Sequence, residues 1–595
     1  MLNRELFKET EARLRELRVV TRTSADGRGT VSFRTFVVEA PFELAGELNV
    51  GKLMALETTK PNTYLITEVI DFVPMHFGLV NLDGSVPREL RKNVLENVER
   101  VIKEGSLDEA WLEVFASHVG YIMEAEGDNV KFVKGYIPPL PASRVYLFTP
   151  QAYSRFVSYS EGVRIGNVLN ENVELRLNLA SAIKYHLGIF AYTGSGKSNL
   201  TSVIIRKALE SIPSLKVVVL DVSMEYAVLL LDVLYRMNSR LAITDKLPAN
   251  EADAERRLVR THVIPEELSE YREEIKKVFG EIFKQGKIRK LYIPPQGVSY
   301  LTYGDLIAMV RQMIEDKYTS SSQKPILQLM IQRIDEFMRD KKLDRDDVLD
   351  ESFKEVINEV ELKARESGLR ETATVFSFLS SLKAYLNSSD IIREDYDIDA
   401  LAVEILDSDE SSPRLFVVEV PNLEEARLVA SSLINNVFMR RKKLYSNKPQ
   451  VLFVLDEAQE FIPIDARQKD YSEASSLAVE RLLRHGRKYF LNGLISTQRL
   501  AYLNTNVLQQ IHTYFLSTLP RPYDRQLIAE TFGVSDSLLE RTLDLESGQW
   551  LLMTFKSALP EDIPVFFKAE NNSDYLKNFL EGFRSSGKRA QNPST

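Results

Sequence analysis

The segment Ala191-Tyr192-Thr193-Gly194-Ser195-Gly196-Lys197-Ser198 constrains this chain more than any other. It follows the apolar run Leu187–Ala191 and opens a stretch of helical periodicity from Lys197 to about Leu209. A glycine-rich turn between strand and helix, closed by a lysine and a hydroxyl, is the pattern of a phosphate-binding loop. Gly194 and Gly196 let backbone N–H groups turn inward around phosphates, and the helix N-terminus adds its positive dipole end. On this reading Thr193, Gly194, Ser195, Gly196, Lys197, Ser198 and Asn199 form the nucleotide cradle. Lys197 reaches the β- and γ-phosphates of ATP, and the Ser198 hydroxyl ligates Mg2+. Where the consensus begins with glycine this chain has Ala191, which alters the loop entry if that position needs a positive φ.

Such a loop needs a partner strand carrying carboxylates, and Val451-Leu452-Phe453-Val454-Leu455-Asp456-Glu457 supplies one. The apolar run predicts a buried central strand whose C-terminal end faces the nucleotide crevice. Asp456 is the expected Mg2+ ligand, and Glu457 the group that orients and deprotonates attacking water. Alone, an acidic strand end is an ordinary solvated turn; paired with the phosphate loop it reads as the second half of the site. A further apolar strand ends in Leu494-Ile495-Ser496-Thr497-Gln498-Arg499, which makes Gln498 a candidate γ-phosphate sensor. Just before it, Arg484-His485-Gly486-Arg487-Lys488 offers Arg484 or Arg487 as an arginine delivered to a neighbouring subunit's nucleotide. Such a finger contributes about 10³–10⁵ in rate. The plainer alternative is a basic turn complementing a helix dipole.

Composition narrows the classes. The 595 residues carry 44% hydrophobic and 27% charged side chains, which excludes a disordered or fibrous chain. Cysteine is absent, so disulfide scaffolds and thiolate chemistry are excluded, and six histidines make a histidine-rich metal site unexpected. The net charge of −9 neither favours nor excludes nucleic acid, because a motor can confine positive charge to a channel. No apolar run reaches the ~18 residues of a membrane helix, and acidic residues stand where a signal peptide has its apolar core; a cytoplasmic protein without membrane insertion is expected.

Along the chain, residues 2–18 read as an amphipathic helix with Leu2, Leu6, Leu14 and Leu17 near one face, ended by the turn Ser24–Gly29. Residues 1–28 are therefore an N-terminal helix. Residues 29–150 hold short β-like runs, with turns at Asp83-Gly84 and Gly127-Asp128 and a helical insertion over Arg88–Glu104; a small β-barrel is predicted. Residues 151–244 and 401–570 alternate apolar strands with helices, which implies an α/β core with a parallel sheet covered on both faces. The block 245–400 between them reads as an inserted helical subdomain, with Ile326, Leu329, Ile331 and Ile334 on one buried face and Val356, Ile357, Val360 and Leu362 on another. Residues 571–595 read as a polar C-terminal tail.

Several blocks together resemble the HerA family of hexameric DNA translocases of archaea and bacteria. They are Ile165-Gly166-Asn167-Val168-Leu169, the loop Tyr192–Asn199, Asp221-Val222-Ser223-Met224-Glu225-Tyr226, Leu455-Asp456-Glu457-Ala458-Gln459-Glu460-Phe461, and the run from Arg484 to Arg499. The resemblance implies a RecA-like P-loop ATPase core of the additional-strand type, a helical insertion and an N-terminal β-barrel. It implies an ATP-hydrolysing homohexamer that threads duplex DNA as a translocase or helicase in DNA-end processing and repair, with a NurA-like nuclease as partner. Ser223-Met224 stand where the family usually has a His-Gly pair. Two basic clusters, Arg440-Arg441-Lys442-Lys443 and Lys284, Lys287, Arg289 and Lys290, are candidates for gripping phosphates, with solvated helix ends as the plainer account. The rival readings are a conjugation- or pilus-type secretion ATPase and a non-hydrolysing ATP-binding assembly module.

Overall fold

The computed structural model describes residues 4–591 except 24–29, 81, 83–85, 106, 127–128, 294–300, 316–318, 346, 348, 371–372, 389–395, 445, 465–470 and 557. The predicted turns at Ser24–Gly29, Asp83-Gly84 and Gly127-Asp128, and the end of the predicted tail, lie outside the described residues. The chain forms two compact units, residues 1–182 with 549–570 and residues 183–548 with 571–595. The sequence-derived boundary at 150 therefore moves: residues 151–182 and 549–570 join the N-terminal unit rather than the ATPase unit.

The first unit contains β1 (Phe7–Thr23), β2 (Thr30–Pro41), β3 (Leu53–Glu57), β4 (Thr63–His76), β5 (Ala110–Glu126), β6 (Asn129–Lys134), β7 (Arg144–Phe148), β8 (Val163–Val168) and β9 (Glu174–Leu177). The second contains β10 (Leu187–Phe190), β11 (Leu215–Asp221), β12 (Ser239–Ile243), β13 (Ile288–Lys290), β14 (Leu415–Glu419), β15 (Gln450–Leu455), β16 (Leu491–Thr497) and β17 (Thr513–Leu516). Two last strands, β18 (Gln549–Thr554) and β19 (Val565–Ala569), return to the first unit.

In the first unit the pairing order is β2-β1-β7-β3-β4-β5-β6, and β5 also pairs with β2, so β1 to β5 and β7 form a closed antiparallel cycle. Its interior is apolar, with Ala12, Leu14, Phe36, Val38, Leu56, Leu65, Leu112, Val114 and Ala116 in one buried cluster. The helix Arg88–Lys103 is inserted between β4 and β5, where the sequence places it.

The predicted N-terminal helix is instead strand β1, paired antiparallel to both β2 and β7. Leucine spacing suggested a helix, but of the buried residues Leu6, Phe7, Ala12 and Leu14 the last two are two apart, as on a strand face, and Leu17 is 40% exposed. The interspersed charges belong to a pleated surface and pair across strands, Arg144 with Glu9 at 2.5 Å and Arg15 with Glu39 at 3.7 Å. Cross-strand neighbours here override the helix propensity of Glu, Leu and Arg.

The second unit is built on a parallel sheet in the order β13-β12-β14-β11-β15-β16-β10-β17. The apolar strands predicted at Leu187–Ala191, at Val451–Leu455 and before Gln498 are present as β10, β15 and β16, and β11, β14 and β16 are buried at every position. The predicted insertion is narrower than 245–400: β13 returns to the sheet edge beside β12. A separate helical core is formed by Tyr303–Glu315, Lys324–Lys341, Lys354–Glu366 and Thr374–Ser388 around Leu306, Val310, Leu327, Ile334, Phe353, Ile357, Val360 and Leu379. Leu362, expected to be buried, is exposed.

The predicted tail is also corrected. Asn572–Gln591 is a helix. Leu576, Phe579 and Leu580 are buried, and the Phe579 ring packs on Tyr235 at 5.6 Å between centroids. Among the described residues no helix is long and apolar enough to cross a membrane.

Candidate nucleotide-binding site

Strand order positions the site. The loop after β10 carries the lysine, the turn after β15 carries the carboxylates, and β16 stands between these two strands. All three are parallel, so their C-terminal ends meet at one edge, where α/β sheets bind ligands.

At that edge the Lys197 amine donates to Asp456 Oδ1 and to Glu457 Oε1, each at 2.6 Å. Lys197 is 6% exposed and Asp456 1%. Burial disfavours the charge on Lys197, but the Asp456 and Glu457 carboxylates outweigh it and hold the lysine above its ordinary pKa. Asp456 Oδ1 also accepts from the Ser496 hydroxyl at 2.5 Å and the Glu457 backbone N–H at 3.0 Å.

The loop conformation explains its residues. Gly194 and Gly196 have φ of +85° and +91°, a region L-residues avoid. Ala191 does not take a positive φ and is buried, so its methyl is accommodated where the consensus has glycine. Its N–H donates to Thr497 O at 3.3 Å, and the next N–H, of Tyr192, to Thr518 O at 3.1 Å; the loop entry is thus tied to β16 and to the residues after β17. The outer side of the loop is held by Gly548 N donating to Ser195 O at 3.0 Å and by the Ser547 hydroxyl donating to Gly194 O at 2.9 Å.

Gln498 bridges the phosphate loop and Glu457. Its Oε1 accepts from the Thr193 hydroxyl at 2.5 Å, and its Nε2 donates to Glu457 Oε1 at 2.9 Å. Glu457 itself has φ +49°, left-handed backbone that costs a non-glycine residue about 1–2 kcal/mol. Strain of this kind is concentrated at working sites.

Two predicted contacts are used differently. The Asn199 side chain accepts from the backbone N–H of Asn572 at 2.7 Å, binding the loop helix to the C-terminal helix. The Ser195 hydroxyl donates to Tyr192 O at 2.8 Å, within the loop.

The structure adds residues that sequence reasoning did not assign to the site. Glu225 accepts from the Ser198 hydroxyl, and burial pushes its carboxyl above the usual range. It is carried by a turn that Asp221 organises, taking the Ser223 N–H at 3.1 Å and the Tyr226 N–H at 2.8 Å. Asp221 is fully buried, and burial, reinforced by Glu419, pushes its pKa up to about 7. Met224 in this turn has φ +59°, left-handed backbone that favours glycine. Gln459 and Thr497 also join the site, through Gln459 Nε2 to Glu457 Oε2 at 2.9 Å and Thr497 Oγ1 to Gln459 Oε1 at 2.5 Å. The signal for Glu225 was its place inside the motif block; for Gln459 it was a polar residue two positions past the strand-end glutamate.

Arg484 and Arg487 are not brought to this pocket within one chain. They precede the N-terminal end of β16, and Gln498 follows its C-terminal end, roughly 20 Å away along seven strand residues. Arg484 pairs with Glu480 at 2.7 Å, and the Arg487 guanidinium lies 5.2 Å from the Tyr185 ring centroid.

Much of the charge in the two basic clusters is spent locally. Arg441 is buried and donates to Pro449 O and Ser446 O, Arg440 pairs with Asp399, and Lys443 pairs with Asp347 at 3.0 Å. Lys287 caps the carbonyls of Leu234, Tyr235 and Met237, and Lys284 pairs with Glu251 and Glu281.

A strand standing between the phosphate-loop strand and the acidic strand, with lysine, hydroxyl and two carboxylates at one sheet edge, defines a P-loop ATPase of the additional-strand class. Residues 163–437 match the family described as "Helicase HerA, central domain". The chain is 24% identical over 546 residues to the "Probable DNA double-strand break repair helicase HerA" of Methanocaldococcus jannaschii, covering 87% of this chain and 95% of that one. The DNA double-strand break repair helicase HerA of Sulfolobus acidocaldarius is 22% identical over 441 residues, 73% of this chain and 75% of the relative. That of Sulfurisphaera tokodaii is 23% identical over 491 residues, 80% and 82%.

Proposed function

We propose that this protein is an ATP-driven helicase and translocase that acts on DNA in the processing of double-strand breaks. The observation that carries the ATPase reading is Lys197 held 2.6 Å from both Asp456 and Glu457, with Gln498 linking Glu457 to the phosphate loop. The DNA reading is supported by the match of residues 163–437 to the HerA central domain and by similarity to relatives named as break-repair helicases.

Hydrolysis follows from these groups. A triphosphate in the loop competes with the carboxylates for Lys197, because phosphate oxygens present the same charge to the same amine. Glu457, released from the lysine, accepts the proton of the attacking water, and Gln498 aligns that water while reporting the γ-phosphate to Thr193. The hard oxygen donors of Ser198 and Asp456 suit Mg2+, which supplies charge neutralisation on the phosphates. Arg484 or Arg487 of an adjoining subunit in a homohexameric ring completes the pocket. A NurA-like nuclease is the partner this reading calls for.

The test is ATP turnover measured without DNA, with single strands and with duplex, beside particle images that count subunits. Turnover raised by duplex DNA in a ring supports the proposal. Turnover indifferent to DNA overturns the DNA part, and no turnover overturns the whole.

A further inference from the structure

We propose that Gln459 is a positioning residue for hydrolysis: it fixes the second oxygen of the Glu457 carboxylate and is itself fixed by Thr497. The inference rests on the ATPase reading above.

The two oxygens of Glu457 are held by different parts of the fold. Oε1 takes Lys197 and Gln498, and Gln498 is bound in turn to Thr193 of the phosphate loop. Every partner of that oxygen therefore answers to what the loop holds. Oε2 accepts from Gln459 Nε2 at 2.9 Å, and Gln459 is bound to Thr497 of β16. Gln459 is 7% exposed, so water does not replace these bonds at little cost.

The hydrogen-bond directions form one consistent chain. The backbone N–H of Arg499 donates to Thr497 Oγ1 at 2.9 Å, so the hydroxyl proton is free to go to Gln459 Oε1 at 2.5 Å. With its oxygen occupied, the amide can present only its NH2 group to Glu457. The glutamine orientation is thereby set by a strand exit rather than by the carboxylate it serves.

Glu457 needs such a hold. It lies two residues past the last strand-paired position, Leu455, in left-handed backbone, and regular β-pairing does not dictate where its side chain points. When phosphates take Lys197 away from Oε1, the bond from Gln459 to Oε2 remains, and the carboxylate keeps its aim at the water. Misplacement by about 1 Å at such a group costs on the order of 10² in rate.

The experiment compares Gln459→Leu, Thr497→Val and the double variant with wild type in steady-state ATP turnover, ATP affinity and thermal midpoint. The expected result for Gln459→Leu is a kcat at least tenfold lower, with KM and Kd for ATP within twofold. Thr497→Val is expected to lose less, and the double variant no more than Gln459→Leu alone, because both changes cut one chain. A Gln459→Leu variant with wild-type kcat overturns the proposal. So do losses that multiply in the double variant, or a kcat loss that tracks KM and the thermal midpoint as a merely structural defect would. If Gln459→Leu does not fold, Thr497→Val decides alone: unchanged kcat overturns the proposal, and a selective kcat loss supports it. Wild type and Lys197→Ala run alongside; a wild type without turnover removes the ATPase reading, whereas an active wild type matched by Gln459→Leu removes only the role of Gln459.

Discussion

Asn199, in the first turn of the phosphate-loop helix, accepts the backbone N–H of Asn572 at the head of the C-terminal helix, 2.7 Å away. Two turns further along the loop helix, Arg206 forms a two-pronged ion pair with Asp232 and donates to Asn572 Oδ1 at 3.0 Å. The three side chains are buried, so the last helix is locked to the nucleotide-binding element by groups withdrawn from water. Arg206→Leu leaves Asp232 buried without its cation and is expected to destabilise the fold by about 3–5 kcal/mol, read as a lower urea midpoint. A midpoint within experimental scatter of wild type would show that the network holds nothing.

Glu457→Gln keeps the side-chain shape but turns one accepting oxygen into an NH2 donor and removes the proton acceptor. A general base contributes about 10²–10⁴ in rate, so ATP turnover should fall at least a hundredfold. Nucleotide affinity should be retained, because Lys197 loses one competitor and keeps Asp456. Phosphate release and nucleotide-binding titrations check the two halves separately.

Asp221 gives the stability a pH dependence of defined sign. Its pKa is raised in the folded protein, to about 7 from 3.8, by burial and by Glu419. Between those values the folded state binds more proton than the unfolded chain, so this group's contribution falls as pH rises from about 4 to about 7 and is level above. Asp221→Asn removes the titration, and its urea midpoint should fall less than that of wild type between pH 5 and pH 8. Equal slopes for the two proteins would assign the titration elsewhere.

The arginine question is settled by mixing subunits. Arg484→Ala and Arg487→Ala, made singly, should leave nucleotide affinity intact, because neither side chain reaches the pocket of its own chain. If one of them serves a neighbour's site as proposed, that variant should lose about 10³-fold or more in turnover. Mixed with inactive Lys197→Ala subunits, that variant should regain part of its activity, since each partner supplies what the other lacks. No regain for either arginine would place the stimulating cation elsewhere.

What the sequence disclosed and what it concealed have physical reasons. The strands around Lys197 and Asp456 were legible because strands buried on both faces must be continuously apolar, and motif residues follow them directly. Strand β1 was concealed because its charges are satisfied by Glu39 and Arg144, partners that only folding brings near. The C-terminal helix was concealed because Gly582, Ser585, Ser586 and Gly587 make its second half look polar, while Phe579 finds its partner in Tyr235. The hydroxyls of Ser496 and Thr497 serve Asp456 and Gln459 only because β16 lies against β15; no local pattern announces a bond across 40 residues.

The place of β1 inside the closed cycle has a practical consequence. It is hydrogen-bonded on both sides, to β2 and to β7. A protein shortened to begin at residue 29, as though a dispensable helix had been trimmed, would bare two unpaired β-edges facing each other across a gap. Such edges recruit strands from other molecules. The first two dozen residues are thus a keystone rather than an appendage, and trimming them leaves a unit prone to aggregate.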